Sequence, residues 1–316
     1  MAENGHIPVL LDEVLKALDP KKGELYIDAT FGGGGYTRAI LDAAPCSVLA
    51  IDRDSDAIER AKVLSASYPS LTYAHARFSE LLDVLHNKGI QHVDGIVFDL
   101  GVSSFQLNEA ERGFSFRFDA PLSMEMGRNA ISAFTVVNEF TEEQIADILY
   151  QGEERLGRRI ARAIVKERIN KPIETTLQLA SLIASVMPKQ KDGQHPATLA
   201  FQAIRLFVNE ELIELQKVLE FCKNILRPGG RLIAVTFHSL EDRIVKNFLR
   251  TESGHVARPS RHRPDTHLPT QPLFQLIQKR ALAPTDIECR RNPRARSAKL
   301  RYAIRTDAPS TSEVLA

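Results

Sequence analysis

Residues 25–52 read LYIDATFGGGGYTRAILDAAPCSVLAID, and this stretch predicts the fold of the chain. A strand-like apolar run ends at Asp28 and is followed by four glycines at positions 32–35, a helical pattern and a second apolar run that ends at Asp52. Glycine lets the backbone turn sharply and bring bare N–H groups close to a ligand. Strand, glycine loop, helix, strand and terminal acid are together typical of a nucleotide site whose second acid binds a ribose.

The residues of the glycine loop indicate which nucleotide it binds. The dinucleotide fingerprint G-x-G-x-x-G fails because its third position falls on Thr37 or Arg38, and no Gly-Lys-Ser/Thr sequence completes a phosphate loop. S-adenosylmethionine (AdoMet) has no phosphate, and its ammonium group suits an acid such as Asp28 on the first strand. The loop therefore favours AdoMet over NAD. A tight turn without a ligand is the alternative, and four successive glycines would make it costly in chain entropy.

Composition limits the class of protein. The 316 residues are 43% hydrophobic, enough for one large domain with an insertion or for two domains. No apolar run reaches the length of a membrane span, and MAENGHIPVL lacks the apolar centre of a signal peptide. Cys46, Cys222 and Cys289 are scattered and odd in number, which predicts a cytoplasmic location and chemistry without a metal.

Charge is distributed unevenly along the chain. Residues 251–305 contain 12 Lys/Arg against 4 Asp/Glu, although the net charge of the whole chain is only +1. A basic tail on an acidic body predicts a polyanionic partner.

Strand and helix patterns alternate through the first hundred residues. The run from Val93 to Leu100 is another buried-type strand, and Asp99 lies at its end. Such alternation predicts an α/β fold with a doubly wound, mainly parallel sheet, whose ligands bind beyond the carboxyl ends of the strands. Asp28, Asp52 and Asp99 should therefore lie on one rim, with helix capping as the alternative role for each.

The strand signal disappears between about residues 105 and 205, which predicts an all-helical insertion. Within it, residues 153–169 are amphipathic, and Arg155, Arg159, Arg162 and Lys166 share a face that we interpret as solvated and paired with nearby Glu. Residues 197–226 form one long helical pattern, after which residues 231–236 resume the sheet. The proline-rich residues 253–272 predict a mobile loop.

The chain resembles the RsmH (MraW) family over nearly its whole length, from His6 to about Arg305. The motifs that carry the resemblance are HIPVLLDEVL, YIDATFGGGGYT, AIDRD, DGIVFDLGVSSFQL, ERGFSF, GEER with RRIARAIV, HPAT with FQAIRLFVNEEL, LRPGGRL, FHSLEDRIVK and NPRARS. The family's PLDMRM stands here as PLSMEM, so Ser123 replaces an acid and Glu125 replaces a base.

The resemblance implies a Rossmann-like class I AdoMet-dependent methyltransferase with an all-helical inserted domain. Its implied activity is methylation of the N4 of a cytidine in 16S ribosomal RNA of the small ribosomal subunit, near the decoding centre. We expect the AdoMet domain to comprise residues 1–104 and 206–316, and a substrate-recognition insertion to comprise residues 105–205. The implied cofactor contacts are Gly34, Gly35, Tyr36, Asp52, Phe78, Asp99 and Gln106, in addition to Asp28.

Cytosine N4 is a poor nucleophile because its lone pair is delocalised into the ring, so the site needs acceptors that orient the amino group. Asp99 and the turn that follows it, with Ser103 and Ser104, are the candidate catalytic groups. A base taken out of its stack is usually held by an aromatic face. Candidate substrate-binding residues are Arg112, Phe114, Phe116, His195, His238 and Arg294. Core packing is an equal alternative for the two phenylalanines, and a structural role is the commoner one for a lone histidine.

Two further functions stay open from the sequence alone. One is an NAD-dependent oxidoreductase, against which the broken glycine fingerprint counts. The other is a non-catalytic ribosome-assembly factor that keeps the fold. The sequence predicts neither a metal nor a membrane partner, and it leaves the oligomeric state open, a homodimer included.

Overall fold

The computed structural model of the chain describes residues 8–127, 131–188, 195–255 and 271–309. Two compact units are present: residues 1–101 with 212–316, called here the sheet unit, and residues 102–211, called here the helical unit. The boundaries expected from the sequence, after residues 104 and 205, differ from these by a few residues. The role of the helical unit in substrate recognition stays a prediction.

The sheet unit is built on a sheet of seven strands in the order β3-β2-β1-β4-β5-β7-β6. The strands are β1 (Leu25–Asp28), β2 (Ser47–Asp52), β3 (Leu71–His75), β4 (Val93–Asp99), β5 (Leu226–Thr236), β6 (Phe274–Leu276) and β7 (Lys299–Arg305). Strands β1 to β5 pair in parallel, whereas β7 is antiparallel to both β5 and β6. The expected doubly wound, mainly parallel sheet is confirmed.

Helices cover both faces of this sheet and bury two separate cores. They are α1 (Leu11–Leu18), α2 (Gly35–Ala43), α3 (Ser55–Ser65), α4 (Leu81–Asn87), α11 (Glu211–Ile225), α12 (Ser239–Glu252) and α13 (Asp286–Arg291). Alternate residues of β1 explain the two cores, since Ile27 packs with Leu219 and its neighbours while Tyr26 packs with Val14 and its neighbours on the opposite face. Within the described ranges, none of the helices combines the length and the apolarity that a membrane crossing needs.

Side-chain caps lie at the start of two helices. Asp54 accepts a hydrogen bond from the Asp56 N–H at 3.1 Å and caps α3. Thr141 and Gln144 form a capping box, with reciprocal side-chain bonds of 3.2 and 2.9 Å.

The prediction of one continuous helix over residues 197–226 was wrong. The chain forms α10 (Thr198–Val208) and α11, separated by Asn209 and by Glu210, which has a φ of 52°. Asn209 is buried, and its side chain bonds the carbonyl of Met124 at 2.8 Å and the N–H of Met126 at 2.9 Å. A contact more than eighty residues away in sequence overrides the helical pattern.

The sheet resumes earlier than predicted, at Leu226 rather than Arg231. Val93 of β4 pairs with Leu226, whereas Gly95 pairs with Arg231, so the four residues 227–230 of β5 lie opposite the single residue Asp94 at a register shift. Gly229 lies there with a φ of 83°, a conformation that glycine adopts readily.

In the described part of the basic segment 251–305, two cations are held by contacts within the sheet unit. Lys299 and Arg301 belong to β7, and their side chains reach the Asp242 carboxylate at 3.1 and 2.7 Å. Burial opposes ionisation of Asp242, but its bonds to Arg301 and Lys299 lower the pKa of this carboxyl below its ordinary value. The expected mobile loop over residues 253–272 falls mostly on 256–270, outside the described residues.

The described part of the helical unit contains six α-helices and one isolated antiparallel bridge between Pro121 and Thr175. The helices are α5 (Ser104–Asn108), α6 (Ala133–Glu139), α7 (Glu142–Gln151), α8 (Gly157–Arg168), α9 (Thr176–Val186) and α10. They enclose one apolar core, to which α8 contributes Ile160, Ala161 and Ile164.

Gly152→Ala is expected to destabilise the helical unit by about 1–3 kcal/mol because it overpacks this core. A Cβ at Gly152 would lie 2.2 Å from the Cβ and 2.7 Å from the Cα of Ala203 on α10. Thermal or urea unfolding measures the effect. The matched double variant Gly152→Ala/Ala203→Gly removes the clashing methyl and should regain part of the loss. Ala203→Gly by itself should cost about 1 kcal/mol of helix stability. If the double variant is less stable than Gly152→Ala by that amount, the packing argument is contradicted.

Candidate active site

Three acidic residues end three adjacent strands of the sheet unit. Asp28 ends β1, Asp52 ends β2 and Asp99 ends β4, and both outer strands pair in parallel with β1. Carboxyl ends of parallel strands meet at one edge, so the expected rim exists. The negative charge of Asp28 contributes to raising the pKa of both other carboxyls.

The glycine loop joins the end of β1 to the start of α2 and is tied to Asp52. The Gly32 N–H donates to Asp52 Oδ2 at 2.8 Å, and Arg60 Nε donates to the Gly32 carbonyl at 3.0 Å. Gly34 has a φ of 74°, and a Cβ there would lie 2.6 Å from the ring of Phe31. Both the conformation and the space require glycine at position 34.

Asp28 is wholly buried and is held by its own chain. Thr37 Oγ1 donates to Oδ2 at 2.7 Å, and the Thr30 N–H donates to Oδ1 at 3.2 Å. Burial raises the pKa of Asp28, and the hydrogen bonds from Thr37 and Thr30 oppose that rise. Its expected contact with the AdoMet ammonium group stays a prediction, and the visible function of Asp28 is to fix Thr37 and the glycine loop.

Asp52 also binds backbone with both oxygens. Oδ1 accepts from the Asp54 N–H at 2.9 Å, while Oδ2 accepts from Gly32. Burial raises the pKa of Asp52 to about 6, with a further contribution from the charges of Asp54 and Asp28. Each carboxylate oxygen has a second lone pair, so a ribose diol can still be bound.

Asp99 differs from the other two acids because its side chain has no hydrogen-bond partner among the described residues. Its Oδ1 atom is buried and unpartnered, whereas its backbone N–H donates to Thr30 Oγ1 at 2.6 Å. Burial, with the charges of Asp28 and Glu241, raises the pKa of Asp99 well above its ordinary value. A capping role has no side-chain bond to support it. An unpaired buried carboxylate oxygen is costly in a protein and indicates a ligand donor.

Three cofactor candidates of the sheet unit remain: Tyr36, Gly35 and Phe78. The Tyr36 side chain is buried, and its hydroxyl donates to the Val9 carbonyl, so only the backbone of Tyr36 is left for a ligand. Gly35 begins α2, and a Cβ there would lie 2.3 Å from Pro8. Phe78 packs edge-on against Phe98 with ring centroids 5.5 Å apart.

His238 and Arg294 have visible structural roles in the sheet unit. His238 caps α12, and its Nε2 lies 3.0 Å from Glu241 Oε1. The Arg294 N–H donates to Asn292 Oδ1 at 3.2 Å within a short 3-10 turn. The structural alternative thus describes His238 directly.

Sequence reasoning missed Glu241, which is only 2% exposed. Its Oε2 accepts from the N–H groups of Phe237 and His238 at 2.9 and 3.4 Å, and its charge acts on Asp99. The spacing His238-x-x-Glu241 matches a capping box and could have revealed this residue.

The candidates of the helical unit fall in two groups. In the first, Ser103 and Gln106 form the capping box of α5: Ser103 Oγ accepts from the Gln106 N–H at 3.2 Å, and Gln106 Oε1 accepts from the Ser103 N–H at 2.9 Å. Both side chains are therefore already engaged. Ser104 is the first residue of α5.

The second group surrounds Phe114 and Phe116. Phe114 is buried in the helical core, as the packing alternative describes, and the Arg112 guanidinium lies 5.5 Å from its ring centroid. Phe116 is partly exposed and lies 4.6 Å from the His195 ring and 4.8 Å from the Phe201 ring. The structure therefore brings Phe116 and His195 together as one aromatic surface.

The two departures from the RsmH (MraW) pattern contact each other. Ser123 Oγ donates to Glu125 Oε2 at 2.8 Å. The same loop is held through its backbone, since Arg112 donates to the Glu125 carbonyl at 3.0 Å. Both this main-chain bond and the pair of Ser123 with Glu125 hold the loop.

These features define a class of protein. The sheet order, the glycine loop after β1 and the acid that ends β2 are those of a Rossmann-like class I AdoMet-dependent methyltransferase. The rim acids and the loop suit a cofactor with a ribose and a cationic amino-acid group. No cluster of metal-ligating side chains is present in the described residues.

Comparison with known proteins identifies the family. The sequence model of the MraW methylase family matches residues 3–306. Proteins named "Ribosomal RNA small subunit methyltransferase H" are 51% identical in Hyphomonas neptunium, covering 97% of this chain and 90% of that one, and 49% identical in Paramagnetospirillum magneticum, covering 99% and 100%. The same name is given to a Beijerinckia indica protein that is 53% identical over 96% of this chain and 86% of that one. The chain belongs to the MraW methylase family.

Proposed function

We propose that this protein transfers the methyl group of AdoMet to the exocyclic N4 of a cytidine in 16S ribosomal RNA of the small subunit, near the decoding centre, in the cytoplasm. The observation that carries the proposal is the buried oxygen of Asp99, which has no hydrogen-bond partner among the described residues. Asp99 lies on the same rim as the glycine loop and Asp52, the acid assigned to the ribose. Family membership and the names of the relatives support the RNA substrate.

Cofactor binding is assigned to the loop and its two acids. AdoMet supplies an already activated sulfonium methyl when bound, so the protein must mainly align the reacting atoms and exclude water. Asp52 binds the ribose hydroxyls and at the same time holds Gly32, which couples the shape of the loop to the ribose contact. Asp28 fixes Thr37 on α2 and so sets the start of that helix.

Asp99 is assigned to the cytosine amino group. An acceptor that takes a hydrogen bond from the amino group turns the N4 lone pair out of conjugation and towards the methyl. The proton lost from N4 can leave after the attack, so no strong base is needed in the bond-forming step. Because Ser103 Oγ already caps α5, the carboxylate of Asp99 is a better acceptor than that hydroxyl.

Phe116 and His195 are assigned to stacking with an unstacked base of the RNA on the helical unit. A partly exposed ring beside an imidazole offers the stacking face that such a base needs.

The test is mass spectrometry of nucleosides from small-subunit rRNA prepared with and without the active protein. N4-methylated cytidine should appear only with the protein and AdoMet. RNA binding without methylated nucleoside would support the assembly-factor alternative and overturn this proposal. Methylation at another atom or base would overturn the N4 assignment alone.

The substrate should be structured RNA rather than free cytidine. A helical unit of about a hundred residues is far larger than one nucleoside requires. We expect methyl transfer to small ribosomal subunits or 16S rRNA and negligible transfer to CMP at equal cytidine concentration, measured by radiolabelled methyl incorporation. Equal turnover of CMP and of the ribosomal subunit would contradict this prediction.

A further inference from the structure

Helix α8 of the helical unit exposes a row of cations that the fold does not use. Arg158, Arg159, Arg162 and Lys166 are all exposed on this helix and are called here the α8 basic face. At about 100° per residue, the four side chains fall within an arc of about 100°. The buried residues Gly157, Ile160, Ala161 and Ile164 occupy the other side of the helix. The row is therefore a surface and not part of the core.

Ion pairing does not account for this face. Only Arg162 has a carboxylate within salt-bridge distance in the described residues, at 3.5 Å from Glu142, and its side chain is still 77% exposed. The exposed positions of Arg155, Arg159, Arg162 and Lys166 agree with the expected solvated face, whereas pairing with Glu is present at Arg162 alone among the described residues. Arg168, two residues beyond Lys166, provides the contrast, since it donates to the carbonyls of Val137 and Phe140 at 2.7 and 2.5 Å. The fold uses Arg168 and leaves Arg158, Arg159 and Lys166 to solvent or to a partner.

The geometry of the row suits a sugar-phosphate backbone. From residue 158 to residue 166 the helix rises about 12 Å, at about 1.5 Å per residue. An RNA strand or duplex presents several phosphates over that length. Arg is also the side chain best suited to bidentate phosphate contacts, and the face has three of them.

We infer that the α8 basic face binds the phosphate backbone of the substrate RNA and positions it on the helical unit. The inference rests on the proposed RNA substrate and deepens it. Such contacts carry no base information, so the face should set affinity and register while the base pocket selects the cytidine. Within the basic segment 251–305, Lys299 and Arg301 are less suited to this role because they are already paired with Asp242.

The test compares the triple variant Arg158→Gln/Arg159→Gln/Lys166→Gln with the wild-type protein. Gln keeps the helix propensity and removes the charges. The matched control is Lys16→Gln/Lys62→Gln/Lys88→Gln, which loses the same charge from three exposed positions of the sheet unit. The probes are deproteinised 16S rRNA and the small ribosomal subunit, each without AdoMet.

Removing three phosphate contacts should weaken RNA binding on the order of tenfold to a hundredfold at moderate salt. The slope of log affinity against log salt should fall by about 2–3. AdoMet affinity and kcat at saturating RNA should stay at the wild-type values, while KM for RNA rises. The control should keep most of its RNA affinity.

An unchanged RNA affinity and salt slope in the triple variant, or an equal loss in the control, would overturn the inference. Wild-type co-sedimentation with anionic phospholipid vesicles that the triple variant loses, without any change in RNA binding, would assign the face to a membrane and also overturn it. Failure of the proposed function gives a separate result: no N4-methylated cytidine from the wild-type protein, whatever the binding data show.

Discussion

Asp99→Asn is expected to lower kcat on the order of a hundredfold, more than substitution of any histidine in the chain. The carboxylate lies at the rim with a buried oxygen that no described residue bonds, and the proposed function gives it the cytosine amino group as donor. Asn keeps the shape and one acceptor but loses the charge that aligns the amino group of the base. Steady-state kinetics with 16S rRNA measures the effect. The control is Asp83→Ala, at an exposed position of α4.

The same substitution should raise the melting temperature at neutral pH. Burial raises the pKa of Asp99, so ionisation of this carboxyl costs the folded protein more free energy than it costs the unfolded chain. Stability from this group is fully present below the unfolded pKa and is lost as pH rises through the folded pKa. Asn does not ionise and avoids that loss. The gain should vanish when both proteins are melted near pH 3, where the carboxyl is protonated in either state.

Kinetic constants separate the two functional roles of Asp99. A fall in kcat with AdoMet affinity intact indicates orientation of N4, whereas a rise in the AdoMet KM with modest loss of kcat indicates cofactor binding. In the orienting role, the wild-type kcat should also fall on the acid side with an apparent pKa well above the ordinary value for Asp, and this limb should be absent in the variant. Wild-type kinetics in Asp99→Asn would exclude both roles.

Asp52→Ala is expected to weaken AdoMet binding about tenfold to a hundredfold, since a charged hydrogen bond is worth about 1.5–3 kcal/mol. Two contacts disappear at once, the acceptor for the ribose and the bond of 2.8 Å that holds the Gly32 N–H. Calorimetric titration with AdoMet measures the loss. A melting curve accompanies it, because Asp52 also anchors the Asp54 N–H that begins α3.

Binding of AdoMet should also depend on pH through Asp52. Burial raises the pKa of this carboxyl to about 6, so wild-type affinity should fall as pH drops through that value and the charged acceptor is lost. Asp52→Ala should show a flat profile over the same range. Unchanged affinity in the variant, or the same pH dependence in both proteins, would contradict the ribose assignment.

Much of the candidate site could be predicted because its residues lie in short runs of consecutive residues. The glycine loop and the acids at strand ends are local patterns, and parallel pairing brings strand ends together without further information. The roles of individual acids were not readable in this way. Asp28 and Asp52 are bonded to Thr37 and Gly32, whereas Asp99 is left without a partner, and only the packed structure distinguishes these states.

The charged surface was also predicted only in part from the sequence. Sequence counts correctly found an excess of cations in residues 251–305, but β7 places Lys299 and Arg301 against Asp242, which lies more than fifty residues away in sequence. Conversely, the charges of α8 looked ordinary as a pattern, and the lack of bonded partners for Arg158, Arg159 and Lys166 became visible only in the folded helical unit.

The sequence by itself determined the order of strands and helices, the nucleotide-type loop, the rim acids and the family, because each depends on short runs of residues or on motifs in a fixed order. Tertiary structure decided where the helical pattern over residues 197–226 breaks, which acid lacks a hydrogen-bond partner and which cations are bonded within the fold. The physical reason is the same for Asn209, Asp99 and Arg301. The state of a buried polar group depends on neighbours distant in sequence, and no local pattern records them.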